Sequence, residues 1–129
     1  MLQGCQSHIT TFVDDLEVVM SIGICDHERA AGFKQRVLGS AKLFRNQARL
    51  QANPIEDCLD YAAVHDYIAG WSDYDHVDLL ETLAEELIEK CLTDPRMDAC
   101  RVRAAKPDIF KDSRAVGVEF YTRREDYHD

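Results

Sequence analysis

The sequence lacks most of the features that assign a chain to a class at a glance. No segment of its 129 residues approaches the roughly 18 unbroken apolar residues of a membrane helix, so membrane insertion through a helix is not expected. The opening MLQGCQSHITTFVDD has no basic region followed by a long apolar run, which argues against secretion or import and for a cytoplasmic protein. Positive charge is scarce: 15 Lys and Arg stand against 24 Asp and Glu, a net charge of −9. The few basic clusters, Arg101 with Arg103 and Arg123 with Arg124, form no stripe that could track phosphates, so nucleic acid is not an expected partner. Repeats, low-complexity tracts and Pro/Gly-rich linkers are missing, and one domain over 1–129 is expected. Cys5, Cys25, Cys58, Cys91 and Cys100 are odd in number and widely spaced, with no C-x-x-C and no Cys/His clustering. Neither a disulfide framework nor a zinc site is suggested, and the thiols are expected to be reduced and to fill space. His8, His27, His65, His76 and His128 show no H-E-x-x-H spacing, and G-x-S-x-G, P-loop and G-x-G-x-x-G motifs are absent. No metal and no cofactor are expected.

What is present is a change of hydrophobic period. Ile9 to Val13 and Leu16 to Ile24 are rich in β-branched residues, and Gln35 to Phe44 alternates through Val37, Gly39, Ala41 and Leu43. Gly39 weakens that strand, because a glycine inside a strand marks a bulge or a close backbone approach. From Tyr61 a short helix runs to Gly70, a residue suited to a left-handed cap. A second helix carries Leu80, Leu83, Ala84, Leu87, Ile88 and Cys91 on one stripe, with Asp78 as the expected N-cap and Pro95 as the stop. Ala99 to Ala105 and Ala115 to Thr122 alternate again as strands. Segregated strands and helices of this kind predict an α+β fold, a four-stranded antiparallel sheet with two helices on one face. Its two open edges invite pairing with further copies, so a homo-oligomer is expected.

Four residues stand out chemically. If the alternation of Cys100, Val102 and Ala104 runs one step further, Lys106 projects from the apolar face just before Pro107. There, partial burial would lower its pKa into a range useful for proton transfer; otherwise it reaches to solvent along its own stem. Glu81 lies three residues after Asp78, as a capping-box partner would. Among Glu81, Glu85, Glu86 and Glu89 it is also nearest the edge of the apolar stripe, where a carboxylate could grip two adjacent N–H donors of a ligand. Glu28 opens a loop after a strand, a position that carries function or is simply polar surface, and Tyr61, opening a helix, is equally readable as a core aromatic with its hydroxyl at the surface.

Together these positions resemble the dihydroneopterin aldolases of folate biosynthesis. The resemblance runs in order through DLEVVMSIGICDHE with its G-x-x-D-x-E loop, DCLDYAAV, HVDLLETLAEEL, and VRAAKPDIF followed by AVGVEF, over about residues 9 to 122. It implies the tunnelling fold, assembled as tetrameric barrels stacked into octamers with sites between neighbouring subunits. It matches Glu81 to the glutamate that grips the pterin, with Leu80 giving backbone contacts beside it. Tyr61 matches the catalytic tyrosine, Lys106 the proton donor and acceptor, and Glu28 a glutamate near the substrate side chain contributed across the interface.

The implied reaction is retro-aldol cleavage of 7,8-dihydroneopterin, a metal-independent lyase step without a Schiff base. His27 stands where many members have tryptophan, Asp60 where serine or asparagine is common, and Ala105 where a polar residue is usual. These departures bear on substrate preference, and the segment 45–54 is unlike the family's usual pattern. An epimerase of the same fold, acting on dihydroneopterin or its triphosphate, and a non-catalytic pterin-binding module are the alternatives. The acidic composition leans toward the uncharged substrate.

Overall fold

The β-branched residues near the start fit a pleated, half-buried surface. In this computed structural model, which describes residues 7–46 and 61–127, they form strand β1 over His8–Met20. Strand β2 follows over Gln35–Asn46, helix α1 over Tyr61–Ala69 and helix α2 over Leu80–Leu92. Strands β3 over Ala99–Lys106 and β4 over Val116–Arg123 close the chain. All pairings are antiparallel, in the order β1-β2-β3-β4. The helices cover the face that carries Val18, Met20, Val37, Ala41, Val102 and Ala104. The α+β arrangement expected from the change of period is therefore present.

Strand β1 differs from the expected two runs. It is one strand bent at a bulge, where three steps from Val13 to Leu16 answer two from Ala41 to Gly39. The extra residue keeps both Val13 and Leu16 on the helix side despite their odd spacing. Asp15 takes φ +52° there, a left-handed conformation that aspartate tolerates, and its N–H donates to Ser40 Oγ at 2.8 Å. The strand also stops at Met20 and not at Ile24. Beyond it Ile22 makes an isolated parallel bridge with Val77.

Gly39 sits inside β2 because the core comes too close for any side chain. A Cβ there would lie 2.6 Å from Ile68 Cγ2 and 2.8 Å from Trp71 Cζ3, and both of those residues are fully buried. We therefore expect Gly39→Ala to destabilise the fold by about 1–3 kcal/mol, as overpacked cores do. A denaturation midpoint equal to that of the parent protein would contradict this packing.

Two expected helix caps are corrected. Gly70 is not a left-handed cap: among the described residues the glycines with positive φ are Gly23 and Gly32. The chain instead tightens into a 3-10 turn over Gly70–Asp73 that carries Trp71 into the core. Asp78 does not cap α2. Leu79 occupies that position in an extended conformation without a side-chain hydrogen bond, while Asp78 is drawn aside to Arg29 and His76, 3.4 Å from each. Cys91 and Cys100 fill space as expected, whereas Cys25 is exposed. Cys5, Cys58, Asp60 and 47–54 lie outside the described residues.

Candidate active site

The site begins with the backbone at Gly23. The chain leaves β1 and is held against the strand-like segment before α2, Gly23 N–H donating to the Val77 carbonyl at 3.0 Å and Val77 N–H to the Ser21 carbonyl at 3.1 Å. Gly23 adopts φ +126°, which side chains other than hydrogen disfavour. The turn that follows, closed by hydrogen bonds from Glu28 N–H and Arg29 N–H to the Cys25 carbonyl, folds Glu28 back over Gly23. A Cβ on Gly23 would come within 2.1 Å of Glu28 Oε1. The missing side chain is what lets the carboxylate lie there.

Glu28 is only 4% exposed, and its burial is matched by donors. Lys106 Nζ donates to Oε2 at 2.8 Å, Gln35 Nε2 to the same oxygen at 2.8 Å, and Cys25 N–H to Oε1 at 3.3 Å. Burial is the largest single influence and pushes the carboxyl's pKa up. The hydrogen bonds from Lys106, Gln35 and Cys25, with the charge of Lys106, together outweigh it and hold the pKa at about 2, below the ordinary 4.5. Lys106, with its side chain 14% exposed, is thus half of a buried ion pair. It is not the lone amine in an apolar wall that strand alternation suggested.

The pair opens onto a pocket of about 460 Å³ with three walls. Gly23, Ile24, Cys25, His27 and Glu28 form the first; Leu79, Leu80 and Glu81, at the start of α2, form the second; Lys106, Val116 and Val118 lie on the third, beside Ile109 and Phe110 from the loop between β3 and β4. Glu81 faces this space with no hydrogen bond or ion pair to another described residue, so it is not the capping-box partner of Asp78. The lining is mostly apolar with four charged residues, Glu28, Asp78, Glu81 and Lys106, the pattern of a pocket that sandwiches a flat ring and orients it by a few polar contacts.

Comparison with known proteins decides the family. The sequence pattern of the family described as FolB, dihydroneopterin aldolase, matches residues 11–121. The chain belongs to the dihydroneopterin aldolase family. The dihydroneopterin aldolase of Escherichia coli K12 is 25% identical over 108 residues, 83% of this chain and 87% of the relative. Among solved structures, the dihydroneopterin aldolase of Burkholderia thailendensis bound to guanine superposes with a TM-score of 0.75 at 27% identity, covering 96% of this chain and 99% of that one. The Escherichia coli dihydroneopterin aldolase in complex with neopterin superposes at 0.69, covering 88% and 98%; at 22% identity that likeness speaks for the fold. The fold is the tunnelling fold of dihydroneopterin aldolases.

Set against the family resemblance, the structure gathers Glu28, Leu80, Glu81 and Lys106 around one pocket and leaves Tyr61 outside it. Tyr61 opens α1 with 62% of its surface exposed. Glu28 already meets Lys106 of its own chain. His27 lines the pocket with its ring edge-on to Phe33 at 5.7 Å. Gln35 was missed by sequence reasoning. It opens β2 opposite Met20, so it shares the inward face of Val37, Gly39 and Ala41; a polar residue on an apolar face was the available signal. Its amide also donates to the Ile22 carbonyl at 2.8 Å, which ties Glu28 to the loop.

Proposed function

We propose that this chain cleaves 7,8-dihydroneopterin by a retro-aldol reaction to 6-hydroxymethyl-7,8-dihydropterin and glycolaldehyde. The observation that carries this reading is the Lys106–Glu28 pair, with its 2.8 Å hydrogen bond, opening onto the pocket that Glu81 also lines. Glu81 accepts two parallel N–H bonds from the amino-pyrimidinone edge, a bidentate contact stronger than a neutral one. The first N–H groups of α2, at Leu80 and Glu81, have no partner within the helix and favour an electron-rich ring oxygen. Guanine, bound by the Burkholderia relative, has the same amino-pyrimidinone edge as a pterin. Ile24, Leu79, Val116 and Val118 enclose the ring faces.

The chemistry asks only for proton movement. The hydroxyl proton leaves through water and Tyr61, the carbon–carbon bond breaks with release of glycolaldehyde, and its electron pair enters the imine of the dihydropterin ring. Lys106, which donates to Glu28 as an ammonium, then delivers its proton to the new side-chain carbon and regains one from the water that took the first. The substrate's own imine is the electron sink, so neither a metal nor a Schiff base is required. Because Tyr61 is remote from Lys106 within one chain, it enters the site from a neighbouring copy. This reading requires the tetramer or octamer that the open edges at β1 and β4 invite.

The decisive assay incubates purified protein with 7,8-dihydroneopterin and follows glycolaldehyde and 7,8-dihydromonapterin separately. Glycolaldehyde as the main product supports the proposal; monapterin as the main product would assign an epimerase, and neither product would sink it. In the same preparation Glu81→Ala is expected to weaken pterin binding by about 2–3 kcal/mol, roughly a hundredfold in Kd. Unaltered affinity by fluorescence titration would remove Glu81 from the anchoring role.

A further inference from the structure

We infer that His76 is a positioning residue for the Glu28–Lys106 pair, acting through the peptide of Gly23. His76 does not line the pocket. Its Nε2 lies 2.8 Å from the Gly23 carbonyl, and its Nδ1 lies 2.6 Å from Ser21 Oγ. A carbonyl only accepts, so Nε2 carries a proton; in the neutral ring Nδ1 then accepts from the Ser21 hydroxyl. One imidazole therefore clips both residues that flank Ile22, whose own backbone is bridged to Val77. Asp78 adds a contact from the same segment, with Oδ1 3.4 Å from His76 Nε2 and 3.4 Å from Arg29 Nη2 at the other end of the loop.

The coupling to the chemistry is steric. The Glu28 carboxyl rests so close over Gly23 that a methyl group there would collide with it at 2.1 Å. A shift of the Gly23 peptide is therefore passed to Glu28, and from Glu28 to Lys106 through their 2.8 Å hydrogen bond. The charged or polar groups that face Glu28 are Lys106 and Gln35; those that face His76 are Ser21 and Asp78. Without His76 the loop keeps its backbone bridge to Val77 but loses both side-chain clips, and the donors around the carboxylate fall out of register.

The test compares His76→Ala with His76→Gln, whose amide retains a donor for the Gly23 carbonyl. Only its kinetic arm rests on the aldolase reading. In His76→Ala, kcat for dihydroneopterin cleavage is expected to fall about tenfold or more with little change in KM, because misplacement of the reacting groups affects the chemical step. His76→Gln is expected to recover most of the loss. The second arm does not depend on turnover: the Glu28 carboxyl, followed by carbon-13 NMR, is expected to titrate about one unit higher in His76→Ala than in the parent protein. If the parent shows no aldolase activity the function proposal fails while this titration still decides the inference. Should His76→Ala not fold, Ser21→Ala removes one of the two clips and is expected to show a smaller shift in the same direction. A Glu28 titration unchanged in folded His76→Ala, or in Ser21→Ala where that variant stands in, overturns the inference.

Discussion

Lys106→Ala is expected to lower the rate of dihydroneopterin cleavage by about a thousandfold, the scale of a lost proton-transfer group, while pterin binding persists. Binding persists because Glu81 and the first turn of α2, on a different wall of the pocket, hold the ring. Retained activity in this variant would remove Lys106 from the mechanism. The same substitution has a second, independent signature in stability. It strands Glu28 as an uncompensated carboxylate at 4% exposure, and breaking a buried pair from one side costs about 3 kcal/mol.

The sign of its pH dependence follows from Glu28. In the parent protein the carboxyl titrates at about 2, below its ordinary 4.5. Its contribution to stability is therefore present above 4.5 and lost as pH falls toward 2. In Lys106→Ala burial, which raises the pKa, loses its strongest opponent, so the folded-state value moves up. The closer it comes to the ordinary 4.5, the less the ionised carboxylate adds to the variant's stability. The stability deficit of the variant should therefore be largest near neutral pH and shrink in acid, below about pH 4.5. Urea midpoints at about pH 7 and about pH 4 test this; an equal deficit at both would contradict the ion pair.

Gly23→Ala combines two costs at one position. The alanine must adopt φ +126°, and its methyl meets Glu28 Oε1 at 2.1 Å and Cδ at 2.2 Å. Those atoms end a side chain that would swing aside on its own, but Lys106, Gln35 and Cys25 N–H hold this one. We expect a loss of about 2–4 kcal/mol from backbone strain plus displacement, and a fall in turnover of about a hundredfold from the misplaced pair. Introducing Gly23→Ala into Glu28→Ala separates them: measured against Glu28→Ala, in which Lys106 has already lost its partner, the second change keeps the strain and has no collision. A cost of Gly23→Ala smaller in that background than in the parent protein, with no activity in the double variant, is the expected result, and an equal cost in both would locate the whole effect in the backbone.

The repeating parts of this molecule were legible in the sequence. Leu80, Leu83, Ala84, Leu87, Ile88 and Cys91 recur at helical spacing and are the buried stripe of α2; Cys100, Val102 and Ala104 alternate and are the buried face of β3. Period is a local property that a chain carries wherever it folds. The caps were less legible, because Asp78 had competing partners. Nothing in its neighbours along the chain reveals Arg29, which takes it from the helix end. The bend in β1 was hidden for a similar reason: Asp14 and Asp15 read as polar residues between two runs, and only Ser40 on the adjacent strand makes them a bulge.

The candidate site divides in the same way. Sequence by itself determined the residue types, their order and the family to which they point, with Lys106 at the end of an alternating strand and Glu81 at the edge of an apolar stripe. Tertiary structure alone decided that Lys106 meets Glu28, 78 positions away in the chain, that Gln35 and Gly23 prepare the place where they meet, and that Tyr61 lies apart from them. The physical reason is that periodicity fixes which way a side chain faces within its own element, whereas an ion pair, a cavity and a close approach depend on what another element brings to that face.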